Sequence, residues 1–527
     1  MTFVRNNSMK DGPEAFSYDR TKRVASNAVY NFSGYVMLTT LGIVVTPYIV
    51  NGLGVDQYGI YATAFSILGY FMLIEMGVGT ALTKYISELK AKNDIQDINR
   101  MIGTAILFLL LTGAIGSTSM FIIAEGLTQT LSVPKHLFET ALFVFYLGTI
   151  HILASLFLGL FSNIFAGLQR FDLIAKLNVV LNAIQKLLMA LVVILGYSLK
   201  EFVIIYVLTT LVNTLVYVAV CRKILPFLSP PRFDRSSFHK MIIFGAKDIA
   251  GKISHIFLFQ LDTFLIAIFL PIGYVTFYAV PMIMGRHLLT FAITMAPIAF
   301  PMASELNSLG EQSSIKELYL RGSKLIFILT LPLALALLAL PDKILGLWMG
   351  TEFAEKSMQV LVFLTLAHLI LSITTVYSNI MYGLGRVGLT SLFTGINSAL
   401  TAGLWLILIP IYGIEGAALA FLLAQILINT PGAYIVNKYI IKVSVRKWAS
   451  VFVKPLLSGL ILVAVLLYFK PFITSLINAA MFSSIGLALY SLLIYFAGSL
   501  DVKEKRLVKD YLRDITVRLG LSRPKPF

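Results

Sequence analysis

The chain has 527 residues, of which 58% are hydrophobic and 13% charged. A soluble protein carries about 25% charged residues, so this composition excludes a row of water-facing globular domains. The formal net charge of +16 raises nucleic acid as a partner, but the placement of the charges makes that reading unnecessary, and the lone Cys221 excludes an intramolecular disulfide and a cysteine cluster for metal.

In chain order, residues 1–23 are polar and basic, and the first apolar stretch runs from about Ala28 to Val50. It is too long for a signal-peptide core and no small-residue cleavage site follows, so it reads as a retained span. Runs of roughly 20 apolar residues cross a ~30 Å hydrocarbon core as helix. Such runs lie near 28–50, 57–83, 101–124, 141–165, 178–197, 201–221, 241–270, 275–304, 324–348, 358–382, 389–410, 414–437, 451–469 and 475–498, which makes fourteen. The longest polar connections, 84–100, 222–240 and 305–323, are too short to fold as domains.

With the N-terminus inside, the inside segments hold 33 Lys and Arg and the outside turns hold 5. The outside five are Lys135, Lys200, Lys343, Lys356 and Lys470. The positive-inside rule then puts both termini in the cytoplasm. It also supports an even span count, because one missed span would swap the sides of every later loop. The basic charge faces anionic lipid heads of the cytoplasmic leaflet. In the tail, Val508, Tyr511, Leu512, Ile515 and Leu519 fall at helical spacing among charged residues, which predicts an amphipathic helix on the inner membrane face.

The chain repeats itself. Gly167-Leu168-Gln169-Arg170-Phe171-Asp172-Leu173 after span 4 matches Gly383-Leu384-Gly385-Arg386-Val387-Gly388-Leu389 after span 10 at an offset of 216. Leu53 to Ala62, entering span 2, matches Leu270 to Ala279, entering span 8, at 217. The expected architecture is all-α and polytopic, with two six-helix lobes in parallel repeat and two C-terminal helices. Its parts are a cytoplasmic segment 1–23, an N-lobe 24–221, a linker 222–240, a C-lobe 241–440, spans 13 and 14 in 441–499, and a basic tail 500–527. Parallel repeats occur among transporters, with substrate sites between the halves near the midplane.

An ionisable residue inside a span is costly and by default faces an aqueous path or a partner. Asp248, Lys252, His255 and Asp262 of span 7 lie at i, i+4, i+7 and i+14, one stripe of a helix. Asp248–Lys252 reads either as an internal ion pair or as part of a lumen, while His255 and Asp262 lie deeper and read as lumenal. An offset of 217 pairs Asn31 of span 1 with Asp248, so both first spans carry a polar face. Arg286 and His287 sit in span 8; Arg286 reads as a cavity cation for an anionic substrate or as a salt-bridge partner of Asp262. Span 5 carries Asn178, Asn182, Gln185 and Lys186, the first three on one face, suited to interhelical hydrogen bonds or to a cavity. Glu75, before Gly77 and Gly79, suits a helix-break cap or a proton carrier. His151 and His368 read as packing residues, and Pro297 and Pro301 as kinks in span 8.

Some chemistry is missing from the sequence. Gly245 to Ile253 superficially resembles a phosphate loop, but it has one residue too many between its glycines, no Ser or Thr after Lys252, and lies in a span. With no other ATP motif, energy is expected from an ion gradient, such as H⁺ or Na⁺, from the membrane potential or from the substrate gradient. No metal-ligand spacing or nucleophile motif is present, the outside turns are too short for a catalytic domain, and neither an enzyme nor a cofactor is expected.

This pattern resembles the polysaccharide-biosynthesis flippases of the multidrug/oligosaccharidyl-lipid/polysaccharide exporter superfamily. Carrying the resemblance are the plan of six, six and two spans, the segment Leu73 to Ser87 leading into a charged loop, Gly167-Leu168-Gln169-Arg170-Phe171, and the stretch from Leu261-Asp262 to Tyr278-Ala279. Many members carry Asp where this chain has Glu75. The resemblance implies transport of an oligosaccharide, linked through pyrophosphate to a polyprenol, from the cytoplasmic to the outer leaflet of the inner membrane by alternating access, for a cell-surface polysaccharide such as lipopolysaccharide. It implies membrane lipids and polysaccharide polymerase or assembly proteins as partners, no nucleic acid, and a monomer. Lys186, Lys252, His255, Arg286 and His287, with Asn31 and Asn182, make a cationic, polar cavity suited to the head group, and Glu75, Asp248 and Asp262 are ion-coupling or ion-pair residues. An ion-coupled multidrug or metabolite extruder of the same superfamily is the competing reading; such proteins usually stop at twelve spans.

Overall fold

A computed structural model describes residues 34–496, 498–501 and 505 of the chain. The basic segment 1–23, Asn31 and nearly all of the tail lie outside these residues, as do the side chains of Asp248 and His255. Among the described residues there is no strand, and thirteen helices are long and apolar enough to cross a membrane.

The helices are α1 (Gly34–Leu53), α2 (Val55–Tyr70), α3 (Val78–Ala91), α4 (Ile95–Thr130), α5 (Phe138–Gly167), α6 (Phe171–Ile194), α7 (Leu199–Ile224) and α8 (Arg235–Phe269). They continue as α9 (Gly273–Met295), α10 (Ala299–Ser308), α11 (Gln312–Ala339), α12 (Pro341–Met349), α13 (Thr351–Gly383), α14 (Val387–Ile435), α15 (Val445–Phe469) and α16 (Leu476–Phe496). The long ones carry exposed Leu, Ile, Val and Phe on one side and pack small or aromatic residues on the other. That is the inverse of a soluble surface and suits a lipid solvent.

The count of thirteen conceals a fourteenth crossing. A straight helix of 49 residues would be about 73 Å long, more than twice a bilayer core. Within α14, Gly413 has φ 62 and ψ −138, which no helix allows. The Trp405 indole N–H donates to the Ala417 carbonyl across this point (3.0 Å), and Asn397 reaches Gln425 (2.9 Å). The chain therefore doubles back at Gly413 into two antiparallel arms, the expected spans 11 and 12. Gly416 lets the arms touch, since a Cβ there would strike the Leu408 carbonyl.

Two expected spans are broken. Span 2 is not continuous: a 3-10 turn over Phe71–Glu75 follows α2, and Met76 and Gly77 are left-handed before α3 begins. Span 8 ends its first helix at Met295, passes through a 3-10 turn containing Pro297, and resumes as α10. Proline there cannot donate to the helical ladder.

The chain packs as two compact units, up to Thr276 and from Phe277 on. In the first unit the alternation of ends is visible in hydrogen bonds. Lys90 Nζ donates to the Leu168 carbonyl (2.6 Å) and Asn99 Nδ2 to the Phe227 carbonyl (2.9 Å), which gathers the basic connections at one end. At the other end Leu199 N–H donates to Gln57 Oε1 (3.0 Å) and Ser132 N–H to the Ala267 carbonyl (2.9 Å). In the second unit Tyr319 stacks on Trp448 at the basic end, and Lys470 pairs with Asp342 (2.8 Å) at the opposite one.

The repeat is visible in the backbone. After α5, Gln169 N–H donates to Ala166 O and Arg170 N–H to Phe165 O, with Gln169 at φ 59. After α13, Gly385 N–H donates to Tyr382 O and Arg386 N–H to Met381 O, with Gly385 at φ 73. Both are Schellman closures of the same register. Compactness and repeat draw different lines, because α8, first helix of the second repeat, packs along α2 and α3 in the first unit.

Candidate functional site

The break between α2 and α3 is built by glycines. At Gly77 a Cβ would fall on the Gly245 backbone of α8, and at Gly245 it would fall on the Met76 carbonyl. Only a pair of hydrogens allows this approach, and Gly77 also accepts its left-handed φ of 74 without steric cost. Met76, at φ 49, pays for the same turn without that freedom. The α8 start is held by Asp234, whose carboxylate accepts the Ser237 N–H (2.7 Å). Its hydrogen bonds to Ser237, side chain first, hold that carboxyl below its ordinary range. Asp234 N–H in turn donates to Thr104 Oγ1 of α4 (2.9 Å).

On this frame Glu75 caps α3. Its Oε1 accepts the Gly79 N–H at 2.6 Å, placing a carboxylate at a helix N-terminus, where the dipole favours it. Of the two roles open to Glu75 in the sequence, the cap is the one seen. Glu75 Oε2 lies 3.9 Å from Lys252 Nζ of α8, a partly exposed pair. Asn163 of α5 brings its amide against the same Gly79, and its carbonyl accepts the Thr83 hydroxyl (3.2 Å). The result is a carboxylate, an ammonium and an amide around a broken helix.

The expected stripe along span 7 does not face one environment. Lys252 is half-exposed, whereas Asp262 is 1% exposed and its Oδ1 accepts from the N–H (2.7 Å) and hydroxyl (3.2 Å) of Thr263. At that depth α8 lies against α2, where the Ser66 hydroxyl donates to the Gln260 carbonyl and Gly69 makes room for the Gln260 side chain. Helical spacing puts residues on one face, but the neighbour facing them changes along the helix, and Asp262 is buried in protein where Lys252 is half-exposed.

The polar residues of span 5 divide. Gln185 donates to Thr209 Oγ1 (2.8 Å), Thr210 Oγ1 (3.2 Å) and the Tyr206 carbonyl (3.2 Å) of α7, and Asn178 accepts from Tyr217 (3.0 Å). These two are interhelical bonds, not cavity groups. Asn182 gives its amide to the Asn178 carbonyl of its own helix (2.8 Å). Lys186 is different. On α6, Val179, Lys186 and Val193 face Gly34, Gly42 and Gly52 of α1, and a Cβ on Gly42 would sit 3.2 Å from Lys186 Nζ. Among the described residues, no carboxylate or hydrogen-bond acceptor pairs with this half-buried ammonium. It is the sixteenth residue of a 24-residue spanning helix, about two turns from its end.

In the second unit Arg286 is exposed on α9 and His287 is half-buried. Gly285, beside them, faces His368 of α13, whose Nδ1 is 2.7 Å from the Leu364 carbonyl. His368 is fully buried against Phe421, as expected of a packing residue; His151, at the equivalent place in the first repeat, packs between Phe65 and Tyr206.

Sequence reading missed a neutral network in this unit. Asn397 and Asn429 both donate to Gln425 Oε1 (2.9 Å each), and Tyr377 donates to Asn429 Oδ1 (3.1 Å). Asn163 was missed too. The available signal in each case was an amide inside an otherwise apolar span.

A family model described as polysaccharide biosynthesis protein matches residues 24–307. A putative O-antigen transporter of Shigella flexneri is 20% identical over 404 residues, 77% of this chain and 95% of that protein. Among solved structures, the lipid II flippase MurJ in an inward closed conformation aligns with a TM-score of 0.68 at 13% identity, over 89% of this chain and 99% of that one. An inward-facing multidrug resistance MATE family transporter of the MOP superfamily aligns with a TM-score of 0.64 at 14% identity, over 79% and 98%. At these identities the two structures establish the shared fold.

Proposed function

Because the chain belongs to the polysaccharide biosynthesis protein family, we propose that this multi-pass membrane protein is a transporter, not an enzyme, and flips a polyprenyl-pyrophosphate-linked oligosaccharide. Movement is from the cytoplasmic to the outer leaflet of the inner membrane, by alternating access, to build a cell-surface polysaccharide. Both termini are cytoplasmic in this reading, and polysaccharide polymerase or assembly proteins receive the product.

The observation that carries the reading is Lys186. A cation at membrane depth is expensive unless something neutralises or hydrates it, and this one has no acid among the described residues. An anionic head group supplies what the protein does not, through charge-assisted hydrogen bonds to phosphate oxygens. Gly42 keeps the space beside the ammonium open. In the second unit Arg286 and His287 are assigned the same class of partner on their own. Glu75 is assigned to coupling with H⁺ or Na⁺, and Lys252, 3.9 Å from it, to the head group.

The test is a deletion strain in which the leaflet holding lipid-linked glycan is measured. Glycan accumulating on the cytoplasmic leaflet, relieved by the intact chain, is the expected result. Unchanged glycan together with new drug sensitivity would overturn it in favour of a drug or metabolite extruder.

A further inference from the structure

The segment that joins α7 to α8 carries Pro226, Pro230 and Pro231 and is strapped across the first turns of α4. Asn99 holds it with both ends of its amide. Its Nδ2 donates to the Phe227 carbonyl (2.9 Å), and its Oδ1 accepts the Ser229 N–H (3.3 Å). Further along α4, Thr104 Oγ1 accepts the Asp234 N–H (2.9 Å). Between these clamps Gly103 lets the strap close down, since a Cβ there would come within 2.9 Å of the Arg232 nitrogen.

Beneath the strap, α4, α5 and α7 leave a cavity of about 500 Å³, inside the ~300–1,000 Å³ range of ligand sites. Its lining changes along the helix axes. Arg222 in the last turn of α7, Asn99 of α4 and Ser229 of the strap lie at the end of the bundle, whereas Ile106 of α4, Phe161 of α5 and Val218 of α7 lie further in. Asn99 and Ile106 are separated by about 10 Å of helix. Arg222 is exposed and, among the described residues, is paired with no carboxylate. From Arg222 to Arg235 the chain carries the cations Arg222, Lys223, Arg232 and Arg235 against one acid, Asp234, and that carboxylate is occupied by the Ser237 N–H at the start of α8.

We propose that this cavity seats an anionic phospholipid of the leaflet at the basic end, with its phosphate at Arg222 and an acyl chain against Ile106, Phe161 and Val218. The order of the lining chooses the occupant. A soluble anion would gain nothing from the apolar floor, and a zwitterionic lipid would bring its own cation to an already cationic mouth. A lipid that is anionic at one end and apolar at the other matches both, and basic pockets between spanning helices take such head groups. The guanidinium of Arg222 offers a fork suited to two phosphate oxygens. A depth of about 10 Å is a third of the ~30 Å core, so the cavity is a seat for a resident lipid and not a crossing path. The proposal therefore stands apart from the flipping reading. A lipid seated there braces the strap that runs into the cap of α8.

Photo-crosslinking of the full chain in nanodiscs tests this. The probes are phosphatidylglycerol and phosphatidylcholine, each with a diazirine on its acyl chain, and labelled residues are mapped by mass spectrometry. Leu111 of α4, 62% exposed, reports contact with bulk lipid. Normalised to Leu111, label at Ile106 and Val218 is expected to be about fivefold higher from phosphatidylglycerol, the worth of one basic residue beside anionic lipid. Arg222→Gln is expected to bring the two lipids level, and Arg222→Lys to keep most of the excess. Equal labelling by the two lipids in the wild-type chain, or no label inside the cavity, overturns the proposal. An excess that persists in Arg222→Gln overturns the part given to Arg222. An excess abolished by inorganic phosphate makes this a site for a free anion, and one abolished by polyprenyl pyrophosphate makes it a station for the transported lipid; either result overturns the resident phospholipid.

Discussion

The junction after α5 and the junction after α13 are the same object built twice, down to the hydrogen-bond register and the left-handed residue in each. The interiors of the two units are not. The first holds charge: a carboxylate capping a broken helix, a lysine 3.9 Å from it, and a second lysine with no acid among the described residues. The second, apart from Arg286 and His287, holds a buried network of three amides and the Tyr377 hydroxyl, all neutral. Backbone turns depend on a few local dihedral preferences, so duplication preserves them. Buried side-chain chemistry depends on what each position meets, so it diverges once the copies take different tasks. The first unit is built like an electrostatic site and the amide core of the second like a rigid scaffold.

The largest effect that would sharpen this contrast is on transport. Lys186→Met keeps the length of the side chain and removes only the charge. It is expected to lower flipping about tenfold to a hundredfold, the worth of one or two charge-assisted contacts, while thermal stability in detergent holds or rises, since an uncompensated cation is removed. Unchanged flipping of lipid-linked glycan in reconstituted vesicles would remove Lys186 from the head-group site. Next is Gly245→Val, which drives a branched side chain into the Met76 carbonyl. A loss of about 3 kcal/mol is expected, since backbone cannot swing aside as a side-chain tip can; a melting curve like that of the unsubstituted chain would mean that the break between α2 and α3 is not held by α8. Smaller is Gln425→Leu, which strips the acceptor shared by Asn397 and Asn429. About 2 kcal/mol should be lost, with flipping rate per folded molecule unchanged. If flipping falls while stability holds, the amide core is part of the transport path and the comparison between the units fails.

The membrane plan was legible in the sequence because lipid imposes it: twenty apolar residues per crossing and lysine on one side are one-dimensional signals. So was the duplication, carried by Gly167 to Leu173 and Gly383 to Leu389. The fold-back at Gly413 was legible as a gap between apolar runs. The site was legible only as a list of costly residue types. Gln185 and Lys186 are adjacent in sequence, and nothing in it says that one bonds α7 while the other faces a glycine notch on α1.

Composition and periodicity alone determined that this chain crosses a bilayer about fourteen times in two related sets of six with two more, because each crossing must satisfy its own backbone bonds within one helix. Which polar groups are spent on structure and which remain for function was decided by tertiary contact alone. Glu75 became a cap because Gly77 and Gly245 let two backbones touch, and Asp262 was buried where α8 packs into the first unit. Those outcomes depend on distances between helices, which spacing along one helix does not carry.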